Sequence, residues 1–169
     1  IARLSNARTK AIIVVHYQGV VADMDVILAE AQKVGVPVLE DCAQSPGAMY
    51  KGRRSGSMGA MGIYSFHFQK LITAGEGGMV VTNDPVLYER AVRSHDLGSY
   101  RPYHETVKKP ELASFVGAQY RMNEMVAACA LAQFRKLDGL LEHCGQLAAH
   151  IMGRIGQLPG LEFRWIPDP

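Results

Sequence analysis

No apolar run in the 169 residues approaches the length needed to cross a bilayer, so no membrane-spanning helix is expected. The N-terminus lacks the basic region followed by an apolar run that marks a secretory signal. Charge of one sign is not in excess. The formal balance of +2 gives no reason to invoke nucleic acid or an anionic membrane surface as a partner. Cysteine is scarce: Cys42, Cys129 and Cys144 are an odd set with no Cys-x-x-Cys and no histidine at ligand spacing, which points away from a disulfide framework and a metal site. Reduced thiols in a cytoplasmic protein are the simplest expectation, with Cys129 as core packing. The length allows one domain with a real core and little room for two.

What is present alternates between strand and helix. Ala11 to His16 opens with a continuous apolar run, typical of a strand buried on both faces of a parallel sheet. Asp23 caps a helix expected from Met24 to about Lys33, which Gly35 ends. Val36 to Leu39 reads as the next strand, with Glu40 and Asp41 at its C-terminal end. This strand–helix–strand unit implies an open α/β sheet. Ser45 to Gly59 reads as a long surface turn or short hairpin, with the basic residues of Lys51 to Arg54 solvated. Asp84 and Pro85 start another helix, and Ser94 to Leu112 reads as extended. One long helix is expected from Asn123 to about His150, and a further strand from Leu161 to Ile166.

The chemistry concentrates at Tyr64 to Gly78. An apolar strand, Met61 to Phe66, runs through Lys70 into the glycine-rich Gly75-Glu76-Gly77-Gly78, and a second apolar run follows from Met79. Taken alone, a solvated lysine in a hairpin is the stronger reading. In doubly wound sheets, however, ligands sit outside the carboxyl ends of the strands, so Asp41 and Lys70 can face one crevice. A lysine amine makes an imine with an aldehyde, and a carboxylate pairs with a protonated pyridine nitrogen. These are the two contacts that a pyridoxal phosphate enzyme requires. Ser65, five residues before Lys70, offers a hydroxyl to the cofactor phosphate.

Several blocks then become recognisable together. His16-Tyr17-Gln18-Gly19, Glu40-Asp41-Cys42-Ala43-Gln44-Ser45, Ser65-Phe66-His67-Phe68-Gln69-Lys70, Gly75-Glu76-Gly77-Gly78 and Tyr120-Arg121-Met122-Asn123 resemble, in order and spacing, the DegT/DnrJ/StrS-type sugar aminotransferases. The resemblance implies an α/β fold: part of the large-domain mixed sheet of a fold-type I pyridoxal phosphate enzyme, aspartate aminotransferase-like, with the start of the small domain. Residues 1–125 would belong to the cofactor-binding large domain, and residues 126–169 to an interdomain helix and the start of the C-terminal small domain. By the same resemblance Lys70 forms the imine with pyridoxal 5'-phosphate and Asp41 holds the pyridine nitrogen. Gln44 lies near the phenolic oxygen and Ser65 binds the phosphate. The substrates would be a keto-sugar, nucleotide-linked in many relatives, or a ketocyclitol, with glutamate or glutamine as donor. The assembly implied is a homodimer with a shared active site.

Two departures from the family pattern stand out. Gln119 replaces the asparagine that reaches the neighbouring subunit's cofactor phosphate, keeping the amide but adding a methylene. Phe68-Gln69 replaces a smaller pair before the lysine. Relatives with histidine at the lysine position act as sugar dehydratases, and Lys70 disfavours that activity here. A non-catalytic regulatory or dimerisation relative is the alternative from another class. Family members are more than twice as long, so this chain is expected to be a central piece, short of the phosphate-cradling turn at a helix start. The 169-residue chain alone is therefore expected to show no transaminase turnover. Titration with pyridoxal phosphate followed by an amination assay checks this, and tight imine formation with turnover would refute it.

Overall fold

A computed structural model describes residues 1–101 and 113–167. The part of the Ser94 to Leu112 reading that falls on 102–112 lies outside them. Four strands form the main sheet: β1 (Ile12–Val15), β2 (Val38–Asp41), and, after a small hairpin of β3 (Met49–Tyr50) and β4 (Arg53–Arg54), β5 (Met61–Ser65) and β6 (Gly78–Val81). The sheet order is β1-β2-β5-β6; the first two pairings are parallel and the last antiparallel. The expected α/β class with a mixed sheet is therefore observed.

Helix α1 (Met24–Lys33) crosses between β1 and β2. Asp23 accepts from the Val26 amide at its start, and Gly35 takes a positive φ of 64° just past its end. Asp23 also accepts from the Tyr50 hydroxyl at 2.7 Å, which fastens the β3–β4 hairpin to the helix cap. Lys51 and Arg53 both pair with Asp25 across that seam. The basic cluster is thus spent on an internal ion pair at an exposed position, where such pairs contribute little net stability.

Register decides which residues meet. Val14, Glu40, Gly62 and Val81 form one row across the sheet, and Val15, Asp41, Ile63 and Val80 form the neighbouring row on the opposite face. The first face is covered: Val14, Val38, Val21, Met24, Ala31 and Tyr50 form a buried cluster against α1 and the hairpin. The second face is open, with Ile13 67% and Val80 51% exposed. The expectation that β1 is buried on both faces is thus corrected: within the described residues it packs on one face only.

Helix α2 (Pro85–Ser94) starts where Asp84 accepts from the Val86 and Leu87 amides. The single long helix expected from Asn123 is instead two, α3 (Glu124–Phe134) and α4 (Leu137–Ile155), broken at Arg135 and Lys136. Leu137, at the start of α4, is buried with Phe66 and Ile72, and this packing sets where the chain turns. Gly139 and Gly145, which weaken the helical pattern, sit inside α4 without breaking it. No strand forms over Leu161 to Ile166, because no neighbour in the described residues pairs with it. Cys129 on α3 is exposed rather than core.

Gly62 marks the tightest approach in the sheet. A Cβ there would lie 2.5 Å from both the Cα and the carbonyl oxygen of Gly56, so β5 packs directly on backbone. Gly62→Ala must push that turn away from the strand. It is expected to cost about 1–3 kcal/mol, the usual range for overpacking, read as a lowered urea midpoint with unchanged m-value.

Candidate active site

Glu40 and Asp41 are adjacent in sequence and face opposite ways. Glu40 is fully buried and accepts four hydrogen bonds: from His16 Nε2 at 2.9 Å and the amides of Gly56, Met58 and Gly59 at 2.8, 2.6 and 2.5 Å. His16 Nδ1 accepts from the Ala22 amide, so its proton sits on Nε2 and points at Glu40. One carboxylate therefore ties the end of β1, the end of β2 and the turn before β5 into a single body. Burial alone pushes the Glu40 carboxyl up. The His16 hydrogen bond and the three amides outweigh that and hold it below its ordinary value.

The ligand atoms of His16, Glu40 and Cys42 lie within 4.8 Å of one another, close enough to suggest a metal centre. Both Glu40 oxygens and both His16 nitrogens already have protein partners, so the cluster works as a clamp. Burial, and next the Glu40 charge, push the Cys42 thiol up to about 11, which keeps it protonated and unreactive. Cys42 therefore serves as a small buried packing residue.

Asp41 projects to the open face at the C-terminal end of β2. Its Oδ1 accepts from the Ala43 amide at 3.0 Å, and its carbonyl accepts from the His16 amide. Ser65 ends the adjacent β5 two residues beyond Ile63, the register partner of Asp41, and so shares that face. Its hydroxyl accepts from the His67 amide at 3.3 Å.

Lys70 follows on a loop clamped at both ends. Its amide donates to the His67 carbonyl at 2.9 Å, the Thr73 hydroxyl and Ala74 amide both donate to the Phe66 carbonyl, and the Phe66 amide donates to Gly77. Phe66 and Ile72 on either side are buried anchors. Lys70 lines a cavity of about 470 Å³ with Gln18, Gly19, Gln44, Ser45 and Cys144. Among the described residues that line it, Lys70 carries the only charge.

Gln44 faces that cavity with its side-chain oxygen already used: Oε1 accepts from the Gln18 amide at 3.0 Å. Its NH₂ group is left to donate. Gln18 itself adopts left-handed backbone angles, φ 53° and ψ 40°, which cost a non-glycine residue roughly 1–2 kcal/mol. Arg164 donates to the carbonyls of Tyr17 and Gln18, both at 3.1 Å. Gln119 lies away from the cavity lining, bridged to Asp96 beyond α2. Its Oε1 accepts from Arg121 Nε at 3.0 Å, and Arg121 also pairs with Asp96. His67 Nε2 lies 3.8 Å from Glu76 and the ring packs on Phe68, so it is engaged locally.

Of the expected site residues, Lys70 and Gln44 share the cavity. Asp41 and Ser65 stand at neighbouring strand ends on one face, and Gln119 stands apart. Gln18 and Gly19, part of the His16-Tyr17-Gln18-Gly19 block, follow the C-terminal end of β1, the position where α/β sheets bind ligands. The cavity contribution of Leu141 and Cys144 depends on how α4 folds back and has no local signal.

An open α/β sheet with polar groups gathered at the carboxyl ends of its parallel strands is the arrangement in which such sheets bind ligands, and the similarity to solved aminotransferases makes it part of the large-domain sheet of a fold-type I enzyme. The chain belongs to the DegT/DnrJ/EryC1/StrS aminotransferase family, which it matches over residues 1–167. It is similar to the aminotransferase from Psychrobacter cryohalolentis, at 40% identity over 82% of this chain and 36% of that one, with a TM-score of 0.71. It is also similar to DesV of S. venezuelae, at 35% identity over 92% of this chain and 40% of that one, TM-score 0.79. A third similar structure is DesI, solved in the presence of its TDP-sugar product, at 28% identity over 98% of this chain and 40% of that one, TM-score 0.83. The chain thus spans between 36% and 40% of the length of these three structures.

The clamp on Glu40 has a pH signature. A carboxylate whose native pKa is depressed contributes stability that is present above the unfolded value and lost as pH falls through the native one. Glu40→Gln puts an NH₂ against donors it cannot satisfy and is expected to cost about 1–3 kcal/mol at neutral pH. The difference from the parent should shrink as pH falls below the ordinary glutamate value of 4.5. Urea denaturation of both proteins across that range measures it.

Proposed function

We propose that this chain carries the lysine side of a pyridoxal phosphate-dependent site that aminates a keto-sugar, nucleotide-linked, or a ketocyclitol, with glutamate or glutamine as donor. The observation that carries the reading is the placement of Lys70 and Gln44 on one cavity at the carboxyl ends of the parallel strands. The TDP-sugar product of DesI supports the sugar class. Residues 1–125 belong in this reading to the cofactor domain, and 126–169 begin the next.

The donor set fits a phosphorylated pyridine aldehyde on one side. A primary amine stands on a clamped loop, a carboxylate at a strand end, a hydroxyl on the neighbouring strand and an amide with its NH₂ unspent. The cavity falls within the usual volume range for small-ligand sites. Pyridoxal phosphate supplies an electron sink for the carbanion formed when a substrate proton leaves. Asp41 would accept the pyridine N–H and favour the cationic ring. Gln44 would donate its NH₂ to the phenolic oxygen, and the Ser65 hydroxyl would donate to a phosphate oxygen. Lys70 Nζ would hold the aldehyde carbon and would serve as the acid–base group for the substrate proton.

Gln119 is exposed, and with its oxygen taken by Arg121 its NH₂ is the end left to donate. A donor is what a phosphate on a second copy requires, and this supports a shared site in a homodimer. The longer arm of glutamine relative to asparagine shifts the contact by one methylene without changing its sign.

Lys70→Ala in the intact protein is expected to abolish the imine absorbance of bound pyridoxal phosphate. Amination should fall by on the order of 10²–10⁴-fold, the usual contribution of a positioned acid–base group. Absorption spectra and a coupled glutamate assay check this, and an unchanged spectrum discards the assignment.

A further inference from the structure

We propose that Arg164 is a positioning residue for the cofactor side of the cavity, acting on Gln44 through the strained Gln18 peptide. The inference rests on the cofactor reading given above and adds a residue, 94 positions beyond Lys70, that the motifs do not contain.

The geometry is a relay of three hydrogen bonds. Arg164 donates Nη1 to the Tyr17 carbonyl and Nη2 to the Gln18 carbonyl, both at 3.1 Å. A guanidinium fork that grips two successive carbonyls fixes the orientation of the peptide between them, which a single point donor does not. That peptide feeds the Gln18 amide, which donates to Gln44 Oε1 at 3.0 Å. With its oxygen held, Gln44 has one orientation left, NH₂ toward the cavity it shares with Lys70.

A second observation says that the loop does not hold this shape unaided. Gln18 is a non-glycine residue with φ 53°, directly before Gly19 with φ 80°. Strained backbone of this kind persists where its surroundings over-determine it, and it gathers at ligand sites. The surroundings here are the Arg164 fork on one side and Gln44 on the other. Without the fork, Gln18 is free to return to ordinary backbone angles and turn its N–H away. Gln44 would then rotate, and either end of its amide would face the cavity. Residues 161–166 form no strand, and the fork ties this stretch to the loop beside the cavity.

The test uses the full-length protein with Arg164→Ala, Arg164→Lys, Gln44→Ala and the Arg164→Ala/Gln44→Ala pair. In cofactor-free protein, amide exchange in the peptide spanning residues 17–19 should rise about three- to tenfold in Arg164→Ala, the weight of one net hydrogen bond. Arg164→Lys should recover part of the protection. With pyridoxal phosphate added, Arg164→Ala should weaken binding by a similar factor of about three to ten. It should cause no further loss once Gln44 is alanine. Unchanged exchange in Arg164→Ala overturns the inference, and so do losses that multiply in the double variant, since a residue that merely stabilised the fold would act independently of Gln44. Where Arg164→Ala does not fold, Arg164→Gln replaces it in both arms. If the parent protein binds no pyridoxal phosphate, the proposed function falls, while the exchange arm still decides the Arg164 contact.

Discussion

The Glu40 carboxylate is the constraint on which the rest depends. It is fully buried, and a charge in that position is tolerated only when its lone pairs are met. Four donors meet them, drawn from the end of β1 and from the turn that leads into β5. Removing any one strand end from this set leaves a buried donor or acceptor without a partner. The carboxylate therefore fixes the relative heights of three strand ends, and the candidate site is built on those ends.

The alternation of a β-strand turns that constraint outward. Because successive side chains face opposite ways, fixing Glu40 on the covered face fixes Asp41 on the open one. Rigidity and chemistry are divided between neighbours. The buried residue holds position and the half-exposed one offers charge. The same division recurs along β5, where Tyr64 donates its hydroxyl to the Ser55 carbonyl and Ser65 ends the strand toward the site. Lys70 comes next on a loop pinned through the Phe66, His67 and Gly77 carbonyls, so its amine is presented by an anchored backbone.

Much of this was legible in the sequence where the signal is local. The β1–α1–β2 unit follows from an apolar run, an aspartate cap and a glycine stop, and each of the three appears within two residues of its expected place. Asp84 and Pro85 set the start of α2 in the same way. The failures share a cause. The break between α3 and α4 carries no proline or glycine and is placed by burial of Leu137 against Phe66, some seventy residues away in sequence. Leu161 to Ile166 has strand composition but no partner strand, and composition alone does not supply one. The His16–Glu40 contact joins residues 24 apart, and neither neighbourhood announces it. At the candidate site, order and spacing single out Lys70, Asp41, Gln44 and Ser65, of which Lys70 and Gln44 line one cavity, whereas the Arg164 contact spans 147 residues.

The open face of the sheet has a consequence for how ligand and chain communicate. Asp41 sits in a row between Val15 and Ile63, which are 47% and 42% exposed. Whatever surface covers those two apolar side chains also strips water from the carboxylate between them. Withdrawing a lone anion from water is costly, and a cation bound beside it offsets that cost. Covering the face and binding a cation at Asp41 are therefore linked equilibria, each favouring the other by the same free energy. A protonated ring seated on that carboxylate would act as a folding cofactor for the surface above it, and that surface would in turn set the affinity for the ring.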